Sequence, residues 1–260
     1  MITIKLNGLF ILLSHENQNI SNSKIERGKI DLRNSVWEVS HMYITANRDR
    51  WLNVTIATLI LLIIIALLKY DSYTLVYWDA HLQTHLAAQG TTLFNKLFSA
   101  LANPIMGGIY AVALWFFLWG FKHKLIATWV LGTYFIGQLW FVVLRWWVAR
   151  PRPAAHSATL TSASFPSHHF FTVVLLCYLV WIAVFPWITE NWHRWLLTIL
   201  MIALCLLVAL ARIRMNAAFP IDMVGTLLLT YIWGQVAQAI YLNWFARLQN
   251  LTIFRHSDFN

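Results

Sequence analysis

The chain has 260 residues, of which 59% are hydrophobic and 11% charged, and it holds 15 Trp, 9 Tyr and 16 Phe. A soluble domain carries about a quarter charged residues, so this composition excludes an ordinary soluble fold and implies an all-α, polytopic membrane protein. The net charge of +9 reads as cytoplasmic-loop bias and contact with anionic headgroups; no basic stretch lies on a soluble domain, so nucleic acid is not an implied partner.

Residues 1–50 are polar and mixed in charge ("SHENQNISNSKIERGKIDLRNS") and read as a poorly ordered extension. "LNGLFILL" is too short to span a bilayer and lacks the small-residue cleavage site of a signal peptide. Met42, shortly before "NRDR" and the first long apolar run, stands as an alternative start.

Residues 51–245 form the membrane domain, with six spans expected at 51–68, 104–121, 125–147, 168–188, 195–213 and 220–243. Each is near the ~20 residues that cross ~30 Å of hydrocarbon. Pro104 opens the second span, where proline suits a first helical turn. Trp51, Trp119, Trp146, Trp147, Trp187, Trp195 and Trp244 lie near the expected ends, as an interfacial belt requires. Between the first two spans, Leu93, Leu97, Phe98 and Leu101 recur at helical spacing. They predict short amphipathic helices on the membrane surface in the first outer loop. Cys177 and Cys205 sit in apolar runs as packing residues, without disulfide or metal spacing.

Arg48, Arg50, Lys122, Lys124, Arg194, Arg247 and Arg255 fall on one side if both termini are cytoplasmic, with 246–260 as a cytoplasmic tail. Arg145, Arg150, Arg152, Arg212 and Arg214 then lie on the outer side, where positive charge is disfavoured. A charge in a membrane helix costs roughly 2.5–3.5 kcal/mol on insertion scales, so charges placed against the rule point to function. Three segments carry them: "RWWVARPRP" (145–153), "SFPSHHFF" (164–171) and "ARIRMNAAFPID" (211–222). Guanidinium groups, a hydroxyl and imidazoles at helix ends suit a phosphoryl oxyanion. The start of the fourth span adds free backbone N–H groups.

These segments resemble the type 2 phosphatidic acid phosphatase (PAP2) superfamily, whose pattern is Lys-x6-Arg-Pro, Pro-Ser-Gly-His and Ser-Arg-x5-His-x3-Asp. The counterparts are Arg145-x6-Arg152-Pro153, then Pro166, Ser167 and His169, then Arg212 and Asp222. The resemblance implies that Arg145, Arg152, Ser167 and Arg212 hold the phosphoryl oxygens and that His169 protonates the leaving oxygen. It also implies that Asp222 orients a nucleophilic histidine one turn earlier, a position held here by Ala218. A methyl group forms no phospho-enzyme. Three further departures accompany it: Arg145 for the lysine, His168 for the glycine beside the phosphate, and Ala211 for the serine before Arg212. The implied partner is a membrane lipid carrying a phosphate or diphosphate, in a plasma membrane, with no cofactor and no metal.

Several residues admit plainer readings. Arg214 is either part of the site or a snorkelling side chain. Arg150 reads as an interfacial anchor, Asp71 and Asp79 as water-facing, and Asn216 as a cap or turn residue. His81 and His85 have the spacing of metal ligands, and a solvated helix face is the reading adopted. For the whole chain three functions compete: a lipid phosphatase, a non-hydrolytic lipid-phosphate binding or transport protein, and a structural partner of another membrane protein.

Overall fold

The computed structural model describes residues 48–87, 92–157 and 161–248. The extension up to residue 47, with Met42 in it, and the tail from 249 lie outside the described residues. Among the described residues the secondary structure is entirely helical: α1 (Arg50–Lys69), α2 (Tyr73–Leu86), α3 (Leu93–Leu101), α4 (Pro104–Gly120), α5 (Lys124–Val148), α6 (His168–Ala183), α7 (Asn191–Arg214) and α8 (Pro220–Leu248). A short 3-10 turn at Phe185–Trp187 extends α6.

Five segments are each long and apolar enough to span a membrane: Arg50–Lys69, Lys124–Val148, His168–Trp187, Asn191–Arg214 and Pro220–Phe245. The span expected at 104–121 corresponds to α4, and a count of six takes α3 and α4 together. α4 reaches the required length only together with α3, to which it is joined across a 48° bend. The break follows from local chemistry. Pro104 has no N–H to continue α3, and Asn103 Oδ1 caps the new helix by accepting from Ile105 N at 2.9 Å.

α2 and α3 are amphipathic in the opposite sense to a soluble surface helix. On α3, Leu93, Leu97 and Leu101 are exposed, while Asn95 and Ser99 are buried. On α2, Tyr77, Trp78 and Leu82 are exposed, while Asp79 and Gln83 are buried. In lipid the apolar face needs no protein cover, and polar atoms must turn inward to find partners.

α6 sits at the centre, packed against α4, α5, α7 and α8, with α1 along α8. Without a hydrophobic drive between helices, cohesion rests on close approach and interhelical hydrogen bonds. Gly137 of α5 lets Trp233 of α8 approach until a Cβ there would lie 2.6 Å from its Nε1. The indole N–H then reaches Thr133 O at 2.8 Å. At the other end of α8, Gln238 accepts from Arg50 Nη2 at 3.0 Å and donates to the Tyr178 hydroxyl at 2.6 Å. Cys177 and Cys205 are free thiols between α6 and α7.

Candidate functional site

Two helix ends and two helix starts meet at one end of the bundle. α5 stops where Ala149 adopts a left-handed conformation, φ 53°, which turns the chain back toward α8. The following loop folds on itself: Ser164 N donates to Arg150 O at 2.8 Å and its hydroxyl to Pro151 O at 2.9 Å. Ser167 then stands at the N-cap of α6, with its backbone N–H on Thr226 Oγ1 of α8 at 3.0 Å. α7 ends after Arg214, and Asn216, in the left-handed region at φ 52°, turns the chain into α8. Its side chain accepts from Gln83 Nε2 at 2.9 Å, and the same amide donates to Ile213 O at 2.8 Å. The turn reading of Asn216 agrees with this geometry.

A cavity of about 110 Å³ opens among these ends. It brings together Arg145, Arg152, Ser167, His168, His169 and Arg212, joined by Ser162, Ser164 and Ala217. Arg145 Nη2 donates to Ser162 Oγ at 2.7 Å and to Ala163 O. Arg152 donates through Nε to Ser162 O at 2.7 Å and through Nη1 to Ala217 O. Arg212 Nη1 reaches Ser99 Oγ on α3 at 2.9 Å. Nε of Arg145 and Nε of Arg212 are buried with no protein acceptor. Among the described residues no carboxylate pairs with Arg145, Arg152 or Arg212. Burial holds the Arg152 guanidinium below its ordinary value, and the Asp222 charge opposes that shift. Buried, charged donors without acceptors are what a bound anion satisfies.

His168 fills the glycine position of the motif with defined support. Its Nε2 lies 2.8 Å from Gln138 Oε1, and its ring stacks on Phe141 at 4.4 Å and 14°. The Arg145 guanidinium approaches the same Phe141 ring at 5.6 Å.

Asp222 and Ala218 do not line the cavity. Ala218 is buried in an apolar cluster with Phe170, Val173 and Met223. Asp222 is fully enclosed and held by another group: Oδ1 accepts from Arg150 Nη1 at 2.6 Å and Oδ2 from Phe219 N at 2.8 Å. The other arm of Arg150 reaches Asp79 Oδ2 on α2 at 2.7 Å, and Asp79 Oδ1 accepts from Ile221 N at 2.9 Å. Arg150 also lies over the Phe219 ring at 4.1 Å. Two expectations are corrected here. Arg150 is a half-buried cation shared by two carboxylates rather than an interfacial anchor. Asp79 is buried in that network rather than facing water. The reason is that an enclosed Asp222 needs a cation nearby, and α2 lays its polar stripe over it. That stripe was visible in the sequence as Asp79 and Gln83, four residues apart. The same holds for Asn95 and Ser99. Asp71 and Arg214 are exposed and line no part of the cavity.

Residues 126–246 match the PAP2 superfamily. The fold is similar to that of a transmembrane PAP2-type phosphatidylglycerolphosphate phosphatase from Bacillus subtilis. That likeness has a TM-score of 0.53 and 17% identity, covering 74% of this chain and 96% of the other. No curated protein matches the chain. In this chain all three motif segments converge at one end of the helices. Arg145, Arg152, Ser167, His169 and Arg212 surround one cavity, while Ala218 lies outside it and Asp222 is bound to Arg150.

Proposed function

We propose that this protein binds the phosphate or diphosphate of a membrane lipid in the arginine cavity, and that it does not turn that lipid over through a phosphohistidine. The observation that carries this reading is the pairing of two facts. Three guanidinium groups without a carboxylate face one small cavity, and the nucleophile position is a methyl group packed in the apolar core. Arg145, Arg152 and Arg212 grip the phosphoryl oxygens, with Ser167 and the start of α6 alongside. His169 lines the same cavity, where the family reaction places its general acid; without an attacking group at 218 that proton has no bond cleavage to serve.

The cavity belongs at the outer leaflet of the plasma membrane, with both termini cytoplasmic. Lys122, Lys124, Arg194 and Arg247 lie at helix ends opposite the cavity, which supports this orientation by the positive-inside rule.

The test uses the purified full chain in detergent micelles with phosphatidic acid, phosphatidylglycerol phosphate and a polyprenyl diphosphate, each beside its dephosphorylated parent. The expected result is binding of a phosphorylated lipid over its parent, lost in Arg152→Ala and Arg212→Ala, with no phosphate release. Sustained phosphate release by the unaltered chain would overturn the non-hydrolytic reading. Equal binding of phosphorylated and parent lipids would favour a structural role.

A further inference from the structure

His81 and His85 lie on the exposed face of α2, away from the phosphate cavity and its polar network. Residues four apart share one helix face, but spacing alone leaves the rings free to diverge. Here they converge. Nε2 of His85 is 3.2 Å from Nε2 of His81, and the rings meet edge to face with centroids 4.5 Å apart. The His81 ring is held on its other side, parallel to Tyr77 at 6.0 Å and edge-on to Trp78 at 6.0 Å.

That separation suits chelation. Two imidazole nitrogens at ~2.0–2.1 Å from one ion lie about 3.4 Å apart in a tetrahedron and about 2.9 Å apart as cis ligands at a right angle. The observed 3.2 Å falls between the two. The two nitrogens share one hydrogen bond at this distance, and an ion between them takes the place of its proton. We propose that His81 and His85 form a binding site for a divalent transition-metal ion of the copper, nickel or zinc class. Imidazole donors select this class over Mg²⁺ and Ca²⁺, which require oxygen ligands. No third His, Cys, Asp or Glu joins the pair among the described residues, so water completes the coordination.

The site reaches the rest of the molecule through the helix that carries it. α2 has 14 residues, a length at which an isolated helix is marginal. Gln83 lies between the two histidines in sequence and points inward, where its amide holds Ile213 O and Asn216 at the turn into α8. A chelate closing the turn from 81 to 85 binds the helical form and stabilises it by mass action. The ion thereby firms the strut that supports the turn between Arg212 and Asp222. This inference does not depend on lipid phosphate being the cavity's ligand.

The experiment takes the full chain in detergent micelles, titrated with Cu²⁺ and Zn²⁺ alone, with Mg²⁺ as a non-competing control. Calorimetry follows stoichiometry, and electron paramagnetic resonance of the Cu²⁺ form counts nitrogen ligands. The expected result is a Cu²⁺ site with two-nitrogen coupling. In His81→Ala and in His85→Ala that site weakens about 10²-fold, as the second tethered ligand is lost. In His156→Ala and His193→Ala it is unchanged. Hydrogen exchange of the α2 amides slows on loading in the unaltered chain and not in His85→Ala. Both histidines are exposed, and an unchanged unfolding midpoint confirms that the variants fold. The proposal is overturned if the two-nitrogen signal persists when His81→Ala and His85→Ala are combined, or if that double variant and the unaltered chain bind Cu²⁺ alike.

Discussion

Arg150→Met removes one cation from between two buried carboxylates. Asp222 is fully enclosed and the Asp79 side chain is 3% exposed, with Arg150 nitrogens at 2.6 and 2.7 Å from them. Losing one partner of a buried ion pair costs about 3–5 kcal/mol, because the other charge is left uncompensated. Here a single substitution strands two. Each carboxylate keeps one backbone donor, Phe219 N for Asp222 and Ile221 N for Asp79, and each can take up a proton, which limits the penalty. The expected loss is therefore about 3–5 kcal/mol rather than twice that, a large part of a typical folding free energy of about 5–15 kcal/mol. Thermal unfolding in detergent, followed by tryptophan fluorescence, should show the midpoint falling on the order of 10 °C. The matched control adds Asp79→Asn and Asp222→Asn to Arg150→Met. With no charge left to strand, it should regain most of the loss. The reasoning fails if Arg150→Met unfolds within about a degree of the unaltered chain, or if the triple variant is no more stable than the single one.

Three further outcomes follow from the same geometry. Ala218→His alone should not produce turnover, since the new imidazole would enter the cluster of Phe170, Val173 and Met223 while Asp222 stays on Arg150; overpacking there should cost about 1–3 kcal/mol, and phosphate release from this variant would refute the account. Gly225→Ala places a Cβ 2.3 Å from the ring of Phe165, so it should cost about 1–3 kcal/mol. It should also weaken lipid-phosphate binding by displacing the segment that leads into Ser167, which a lipid titration beside a melt would detect. Thr226→Val removes the acceptor of the Ser167 N–H at nearly constant volume; a stranded buried donor costs about 1–3 kcal/mol, visible as a lower midpoint and faster amide exchange at the start of α6.

The long helices were legible because a bilayer imposes a length. The runs at 125–147 and 220–243 became Lys124–Val148 and Pro220–Leu248. The cavity lining was legible for a related reason: Arg145, Arg152, His169 and Arg212 are expensive residues for such a chain, and they line one cavity. What escaped was pairing at a distance. Arg150 meets Asp79 and Asp222 across 71 and 72 positions, and no local pattern announces a partner so far away. The helices α3 and α4 were legible as well: Pro104 marks the start of one, and the apolar spacing at Leu93, Leu97 and Leu101 marks the short amphipathic helix before it. In lipid that spacing marks the outward face, and the informative residues were the polar ones between, Asn95 and Ser99.

One departure from the PAP2 pattern, Ala218, fits a single arrangement once Arg150 is included. In the family reading, the carboxylate at 222 serves a histidine at 218. With Ala218 that carboxylate would be enclosed beside an apolar cluster with no cation to face, which burial does not tolerate. Arg150 supplies the cation, and α2 supplies Asp79 to hold its second arm. Phe219 covers the guanidinium face. The consequence reaches the cavity. With Arg150 bound to Asp79 and Asp222, the charges of Arg145, Arg152 and Arg212 are left without a local carboxylate partner. Within this cluster, four guanidinium groups against two aspartates leave a surplus of two positive charges. A phosphate monoester carries about −1.5 to −2 at neutral pH, which that surplus balances. That balance is what the proposed lipid-phosphate reading requires, and Arg152→Ala or Arg212→Ala should upset it.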